Sequence, residues 1–279
     1  MEDYNLNEQD ESFRLLNHRI SPPAESSARF RNPRTVPHAT FTLPPTVHHA
    51  RMHAPGLLLS LRIGQPRQLG AAGAADIMDK PWISSFFRDE IIGPVRVLAD
   101  TLEGDTVADT RVHGGPDKAI CCYASEHYPW WREQLPQEMT APFGAFGENF
   151  TTTGLAEDKL HVGDRFQIGS AIVMVRQPRM PCYKLAAKFQ REDIVERFLL
   201  SGRSGVYFSV EQEGSVETGD AFELLERNHD GILISEVNRL LVQSRFQHDL
   251  LHKAVATAAL PEQWRDLFSE RLRRLAVAE

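Results

Sequence analysis

The chain has 279 residues, of which 42% are hydrophobic and 25% charged, which is enough for one large soluble domain or two modest ones. A formal net charge of −7 argues against a general nucleic-acid binder, because phosphate neutralisation needs a clustered basic surface. No apolar run approaches the roughly 20 residues of a bilayer-spanning helix, and an odd number of cysteines is typical of a reducing compartment. We therefore expect a cytoplasmic protein with no nucleic-acid or membrane partner.

Residues 1–54 differ in composition from the rest of the chain. They are rich in Pro, Ser, Arg and His and show neither a period of 2 nor one of 3.6. We therefore predict a flexible extension that buries too little surface to order itself. Its acidic start, "MEDYNLNEQDESF", is unlike a secretory signal or a transit peptide. Met52 is a candidate alternative start, because globular patterning begins just after it.

From Leu57 onward, short segments rich in β-branched and aromatic residues are separated by Gly, Asp and Pro. Many short strands spaced by turns predict a mainly β fold, either a barrel or a sandwich. Two helices are predicted among the strands, "SEHYPWWREQL" with Ser125 as its N-cap and "REDIVERFLLSG" ending at Gly202. The predicted strands are "LLLSLRI", "GPVRVLA", "KAICCY", "GENFTTT", "DRFQIG", "AIVMVRQ", "GVYFSVEQEG" and "DAFELLER".

After about residue 230 the pattern becomes helical. The segments "ISEVNRLLVQS", "QHDLLHKAVATAAL" and "PEQWRDLFSERLRRLAVAE" predict three short helices docked on the β domain. One apolar stripe runs along the last of them, formed by Trp264, Leu267, Phe268, Leu272 and Leu275. We favour local packing of this stripe over partner binding.

The stretch "LEGDTVADTRVHGGPDKAI", residues 102–120, combines a glycine turn with basic side chains. Gly114 and Gly115 allow backbone N–H groups to approach a ligand closely. His113 and Lys118 flank the turn. An anion site and an ordinary turn are equal alternatives for this pattern.

Two further turns carry polar side chains that suit a ligand. Asn149 opens a strand in "FGAFGENFTTTGL" and offers a donor and an acceptor to the edge of a heterocycle, although Asn is also a common turn residue. Arg203 lies in "SGRSG", a turn whose composition suits capture of phosphate or carboxylate but is a weak signal alone.

Cys182 lies in "QPRMPCYKL", where two prolines precede it and stiffen the backbone, and where Arg179 and Lys184 are close in sequence. A free cysteine is usually a small buried hydrophobe. Positive charge lowers the pKa of a thiol, however, and the thiolate is the form that attacks or binds a soft metal. Core filler, nucleophile and metal ligand are therefore all open for Cys182. Cys121 and Cys122 lie in an apolar strand, one facing inward and one outward, and are predicted to be structural.

Other chemical motifs have less support. The chain contains no Cys-x-x-Cys, no P-loop and no Gly-x-Gly-x-x-Gly that opens a helix after a strand. A dyad of Cys182 with His113 is conceivable and depends on their geometry in the fold.

Seven separated stretches resemble one known family. They are "LEGD", "VHGGPDKA", "EHYPWW", "FGENFTTTGL", "VGDRFQIG", "QPRMPCYKL" and "SGRSGVYF", in order across residues 57–226. Together they resemble the MOSC-domain family, named for the C-terminal domain of molybdenum-cofactor sulfurase, and within it the stand-alone bacterial YiiM type. The resemblance implies a MOSC-type β-barrel over residues 55–229 and a small three-helix domain over residues 230–279, with residues 1–54 outside it.

The resemblance also implies a function. It implies binding of molybdenum cofactor (molybdopterin), a pterin dithiolene that carries molybdenum and a phosphate, with the sulfur of Cys182 as a ligand of the metal. The YiiM type is implicated in reducing N-hydroxylated bases such as 6-hydroxylaminopurine with electrons from a partner flavoprotein. An expectation of pyridoxal phosphate binding accompanies it. The residues expected to bind the cofactor are His113, Gly114, Gly115, Lys118, Asn149, Arg179, Lys184 and Arg203.

Our leading hypothesis is thus a molybdenum-dependent oxidoreductase. One rival is a carrier of molybdenum cofactor or of sulfur, in which Cys182 holds a persulfide and the protein has no turnover of its own. Another is a plain binding module with an inert cysteine. The sequence leaves the oligomeric state open, with a dimer as one option.

Overall fold

The computed structural model describes residues 56–110, 113–136, 139, 141–242 and 247–278. The predicted extension, residues 1–54, and the candidate start at Met52 lie outside the described residues. The domain boundaries at 54/55 and 229/230 stay predictions, although the described chain does change from strands to helices between Glu226 and Ile234.

Within the described ranges the chain forms twelve strands and six α-helices. The strands are β1 (Gly56–Ile63), β2 (Arg67–Leu69), β3 (Trp82–Ser84), β4 (Asp89–Glu90), β5 (Val95–Val97), β6 (Ile120–Ala124), β7 (Phe150–Thr153), β8 (Arg165–Ile168), β9 (Ala171–Pro178), β10 (Val206–Gln212), β11 (Gly214–Val216) and β12 (Ala221–Glu226). The helices are α1 (Tyr128–Gln134), α2 (Tyr183–Phe189), α3 (Ile194–Ser201), α4 (Ile234–Val242), α5 (His248–Ala256) and α6 (Glu262–Ala278).

Seven strands close into a barrel in the order β12-β8-β9-β10-β6-β7-β1, because β1 pairs with both β7 and β12. The closing register places Gly56 opposite Phe222 and Leu57 opposite Ala221. The β6–β7 pair is parallel, with Cys122 opposite Phe150, whereas the other barrel pairs are antiparallel. The predicted β-barrel is confirmed.

The side chains inside the barrel form one core and a second, aromatic core lies outside it. Phe166, Phe208 and Phe222 fill the barrel, with ring centroids 6.1–6.4 Å apart. Outside the barrel, Tyr123 of β6 and Phe146 stack at 4.7 Å and pack with side chains of α1, α2 and α3. Strand β6 is therefore buried on both faces, which explains why its sequence is apolar throughout.

Helices α4–α6 match the three predicted C-terminal helices and pack on the barrel. Trp264 and Phe268 of the apolar stripe are buried, and the three leucines of that stripe are partly buried against the same core. The indole Nε1 of Trp264 donates a hydrogen bond of 2.7 Å to Oε1 of Gln177, a residue of β9. The stripe is thus a packing surface, as expected.

The structure corrects two local predictions. Ser125 is not an N-cap: it begins a short 3-10 helix, Ser125–His127, that precedes α1, and its hydroxyl bonds to the side chain of Glu126. Helix α2 was not predicted, and it begins directly after Cys182. Helix α3 does end at Gly202, whose φ of 66° suits a left-handed C-cap. In the parts of the chain that the structure describes, no helix is both long and apolar enough to cross a membrane.

Candidate functional site

A cavity opens where loops around β3, β5, β6 and β7 meet the loop between β9 and α2. Seven of the predicted site residues line it: His113, Gly114, Lys118, Asn149, Arg179, Cys182 and Lys184. These residues are spread over more than 70 positions of the sequence, and the fold brings them to one place. The cavity lining includes neither Gly115 nor Arg203.

The glycine turn delivers two basic side chains to the cavity. Gly114 and Gly115 have φ angles of 73° and 82°, which residues with side chains rarely adopt. A Cβ on Gly114 would lie 2.9 Å from Val107. Gly115 then caps a 3-10 helix, Pro116–Lys118, that carries Lys118 into the lining. The backbone conformation of the turn therefore requires glycine at both positions, and Gly115 shapes the turn without lining the cavity.

Positive charges converge on His113. Burial lowers the pKa of its imidazole to about 4, and the nearby charges of Lys184, Lys118 and Arg179 act in the same direction. Burial also lowers the pKa of Lys118. A neutral imidazole among cations can donate or accept a hydrogen bond without adding charge, and the cations around it suit an anionic ligand.

The guanidinium of Arg179 is buried, and one of its nitrogens makes no hydrogen bond to the described residues. The guanidinium carbon lies 5.4 Å from the ring centroid of Phe86 and 5.5 Å from that of Phe198, so two phenyl rings hold it. Its Nη1 is buried and has no hydrogen-bond partner among the described residues. The same is true of Oγ of Ser85, which lines the same cavity. Buried polar groups in proteins are normally satisfied, so two unsatisfied groups on residues that line one cavity suit a polar ligand there.

Cys182 lies at the rim of this cavity, at the N-cap of α2. Its side chain is half-buried, whereas Cys121 and Cys122 are buried. Its carbonyl accepts a hydrogen bond of 2.9 Å from the backbone N–H of Leu185. Among the three thiols, that of Cys182 is thus the accessible one.

The other two cysteines face opposite sides of β6, as their alternation predicts. Cys122 points into the barrel core, with its sulfur 3.3 Å from Oγ1 of Thr152. Cys121 lines the cavity, so it is not simply a core residue as its sequence suggested. Burial raises the pKa of the Cys121 thiol. A thiol of raised pKa is a poor nucleophile. Cys121 also differs from Cys182 in being buried and in lying on β6, not at the start of α2.

An ion pair that the sequence analysis missed forms one wall. Arg88 donates two hydrogen bonds to Asp105, at 3.1 Å from Nε and 2.8 Å from Nη2, and both side chains are largely buried. Asn149 donates from Nδ2 to Asp105 at 2.9 Å and accepts at Oδ1 from the N–H of Cys121 at 3.1 Å. The amide of Asn149 therefore holds the wall together, whereas we had expected it to face a heterocycle.

Arg203 lies elsewhere. Its guanidinium stacks on the ring of Trp130, 4.4 Å from the centroid, and Nη1 donates to the carbonyl of Ser201 at 3.2 Å. Its own carbonyl accepts from the hydroxyl of Tyr123 at 3.1 Å. These contacts give Arg203 a role in holding the turn before β10.

Several lining residues carried no usable sequence signal. They are Ser84, Ser85, Arg88, Asp109 and Tyr207. Asp105 belongs to the quoted "LEGD" stretch, and an acidic residue after a Gly was the one hint available. Arg88 becomes recognisable only when the chain folds, because its partner lies in another loop.

The residues present suit an anionic cofactor that also carries a soft metal. Arg179, Lys118 and Lys184 supply positive charge for a phosphate, and Nη1 of Arg179 is a donor with no partner among the described residues. Cys182 supplies the sulfur that a soft metal prefers. The described residues contain no cluster of three His, Cys, Asp or Glu side chains able to hold a metal ion.

Two family models match separate segments of the chain. The MOSC domain model matches residues 109–223, and the model of the YiiM-like, 3-alpha helix domain matches residues 234–275. YflK of Bacillus subtilis is 38% identical over 225 residues, which cover 80% of this chain and 97% of that protein. A Gibberella moniliformis protein named Reductase is 31% identical over 221 residues, covering 78% of this chain and 38% of that protein.

The fold has a solved counterpart. The crystal structure of YiiM from Geobacillus stearothermophilus aligns with a TM-score of 0.63 at 33% identity, over 78% of this chain and 100% of that one. The expectation of pyridoxal phosphate binding finds no support in any of these matches.

Proposed function

Because the chain belongs to the YiiM-like MOSC-domain family, we propose that it is a molybdenum-cofactor-dependent oxidoreductase that reduces N-hydroxylated compounds such as 6-hydroxylaminopurine. The family and a relative named Reductase support an oxidoreductase of the MOSC type. The cofactor and the substrate class are the parts that we propose.

One observation carries the proposal. The half-buried thiol of Cys182 opens into the same cavity as the buried guanidinium of Arg179, whose Nη1 has no partner among the described residues. A soft ligand and an unsatisfied cationic donor in one cavity match a group that combines a soft metal with a phosphate.

The proposal assigns three tasks to polar residues of the cavity. Cys182 would bind the metal through its sulfur. Arg179, Lys118 and Lys184 would hold the phosphate-bearing part, and the neutral ring of His113 would orient the pterin or the substrate by hydrogen bonding. When bound, the cofactor supplies the two-electron chemistry that removes oxygen from the N–O bond.

The overall reaction fixes what else the site must provide. An N-hydroxylamine takes up two electrons and two protons, the N–O bond breaks, and an amine and water leave. The electrons come from a flavoprotein donor in this proposal. Solvent supplies the two protons in this proposal.

The test compares three single variants with the wild type: Cys182→Ser, Cys121→Ser and Cys122→Ser. We would purify each from a host that makes molybdenum cofactor, then measure molybdenum content, thermal midpoint and reductant-driven reduction of 6-hydroxylaminopurine. Cys182→Ser should keep its thermal midpoint and lose activity by orders of magnitude, since a hydroxyl is a harder and far less acidic ligand than a thiol. Cys122→Ser should act through stability, because Cys122 lies in the barrel core.

Two results would contradict the proposal in different ways. Wild-type turnover by Cys182→Ser would remove this cysteine from the reaction. Bound molybdenum without any turnover of the wild type would instead favour a carrier of cofactor or sulfur. The cytoplasmic location, the flavoprotein donor and the oligomeric state stay predictions.

A further inference from the structure

A second cleft lies behind the wall of the cofactor cavity. Arg88 lines both spaces, with the Cys182 cavity on one side and the cleft on the other. Helix α2 also borders both, because Cys182 at its start faces the cavity and Lys188 and Phe189 at its end face the cleft. Six residues of helix separate the two ends, which is about 9 Å along the axis.

The cleft has an aromatic lining. Phe87, Phe143 and Phe189 contribute three rings, and Met139 and Pro142 extend the apolar surface. Phe87 and Phe143 are half-buried, so parts of both rings are open to a ligand. Ligand sites are commonly lined in this way, with an apolar surface and a few polar groups that fix orientation.

The charged groups of the cleft are mainly cationic. Arg62, Arg67, Arg88 and Lys188 line it, against one lining carboxylate, that of Asp89. Arg88 is neutralised by Asp105 on the cavity side, and Arg62 forms a 3.3 Å ion pair with Glu90.

Two of these cations, Arg67 and Lys188, can bind a ligand without the loss of a strong existing interaction. The Arg67–Asp89 pair, 2.5 Å long, is exposed on both sides. Exposed ion pairs contribute little to stability, so an anion can replace the carboxylate of Asp89. The ammonium of Lys188 lies 4.5 Å from the ring centroid of Phe86 and 5.0 Å from that of Phe87. It donates at 2.5 Å to the carbonyl of Ala145 and at 3.4 Å to that of Gly144, which leaves one of its three N–H donors for a ligand.

The protonation of Lys188 also responds to an anion. Burial lowers its pKa to about 7, and the charges of Arg179, Arg62 and Arg88 act in the same direction, whereas Glu148 opposes them. At neutral pH the side chain is therefore only partly charged, and an anion beside it would restore the full charge.

We propose that this second cleft binds a planar aromatic anion, with its ring against Phe87 and Phe143 and its anionic group between Arg67 and Lys188. The ligand class is a heteroaromatic phosphate or carboxylate. It would lie across one protein wall from the Cys182 cavity and share Arg88 and α2 with it. This site does not depend on molybdenum or on turnover.

The test measures binding of adenosine monophosphate to the full chain by calorimetry, with adenosine and inorganic phosphate as separate probes. Adenosine tests the ring alone and phosphate tests the charge alone. We expect saturable binding of the monophosphate and at least tenfold weaker binding of either part. Equal affinity for adenosine and the monophosphate would overturn the proposal, as would the lack of saturable binding at millimolar concentrations.

Matched variants locate the bound probe. Lys188→Met and the exposed Arg67→Gln should each weaken binding of the monophosphate, about tenfold and a few-fold, while Lys118→Met in the cofactor cavity and Arg96→Gln on the surface of β5 leave it unchanged. Arg67→Gln keeps the test decisive if Lys188→Met fails to fold, since the Arg67 side chain is 47% exposed. Loss of binding in Lys118→Met, with full binding in the cleft variants, would place the probe in the cofactor cavity and refute the cleft.

Discussion

The hydrogen bond between Trp264 and Gln177 predicts that the C-terminal helices stabilise both the barrel and the Cys182 cavity. Trp264 is 2% exposed, and Trp→Ala in a core costs about 3–5 kcal/mol. Trp264→Phe keeps most of the packing but leaves Oε1 of Gln177, also 2% exposed, without its donor. An unsatisfied buried acceptor costs about 1–3 kcal/mol.

The consequence should reach the cavity, because Nε2 of Gln177 donates at 3.0 Å to the carbonyl of Asp117, the neighbour of Lys118. A rotated Gln177 would release that carbonyl. We therefore expect Trp264→Phe to lower retention of the cofactor even at temperatures where the protein is fully folded.

The assay is urea and thermal unfolding of both variants, with molybdenum content measured on the folded protein. For a domain of this size each 1 kcal/mol lowers the midpoint by about 2–4 °C, so Trp264→Ala should fall by about 10 °C and Trp264→Phe by about 5 °C. Trp130→Phe is the matched control on a half-buried indole and should change little. A wild-type midpoint in Trp264→Phe would refute the hydrogen-bond contribution, and a loss below about 1 kcal/mol in Trp264→Ala would refute the packing.

Three further outcomes follow from the sequence and the site. A chain that begins at Met52 should keep the thermal midpoint of the full chain, and a drop of several degrees would show that the preceding residues pack on the barrel. Asp105→Asn should cost about 3–5 kcal/mol by leaving the buried charge of Arg88 unpaired; a double variant that also replaces Arg88 with Met should recover part of this loss, and no recovery would contradict the ion-pair explanation. His113 has a pKa near 4 when folded and about 6.5 when unfolded, so the unfolded chain binds more protons between these values. Stability should therefore be complete above pH 6.5 and fall as the pH drops toward 4, whereas His113→Asn should flatten that dependence in urea titrations at pH 7 and pH 4.5.

The sequence predicted the barrel well because its strands carry their own signals. The eight predicted strands each overlap an observed one, since β-branched and aromatic residues bounded by Gly and Asp favour strands locally. The missed strands β2, β3, β4 and β11 have two or three residues each, too few for a period to show. Helix α2 was missed because it is short and because Pro181, two residues before its start, is typical of a turn.

Site residues could be predicted where the residue type alone indicates the chemistry. They could not be predicted where the role of a side chain depends on a partner distant in sequence. Cys182, Arg179 and Lys184 lie in one stretch, so their common cavity could be anticipated. Asn149 could not be assigned correctly from its position, because its hydrogen-bond partners come from two other segments. Alternation along β6 predicted that Cys121 and Cys122 face opposite sides, but only the fold shows that Cys122 faces the barrel core and Cys121 the cavity.

The pairing of β1 with β12 has a consequence for how the chain folds during synthesis. It joins Gly56, at the start of the described barrel, to Phe222, at its end. The ring of strands therefore cannot close until β12 has left the ribosome, and loop closure over that span is slow compared with local helix formation. A nascent or prematurely terminated chain that lacks β12 would present β1 and β8 with unpaired edges. Such edges template aggregation, so fragments ending before residue 221 should depend on chaperones to stay in solution, while the complete chain should not.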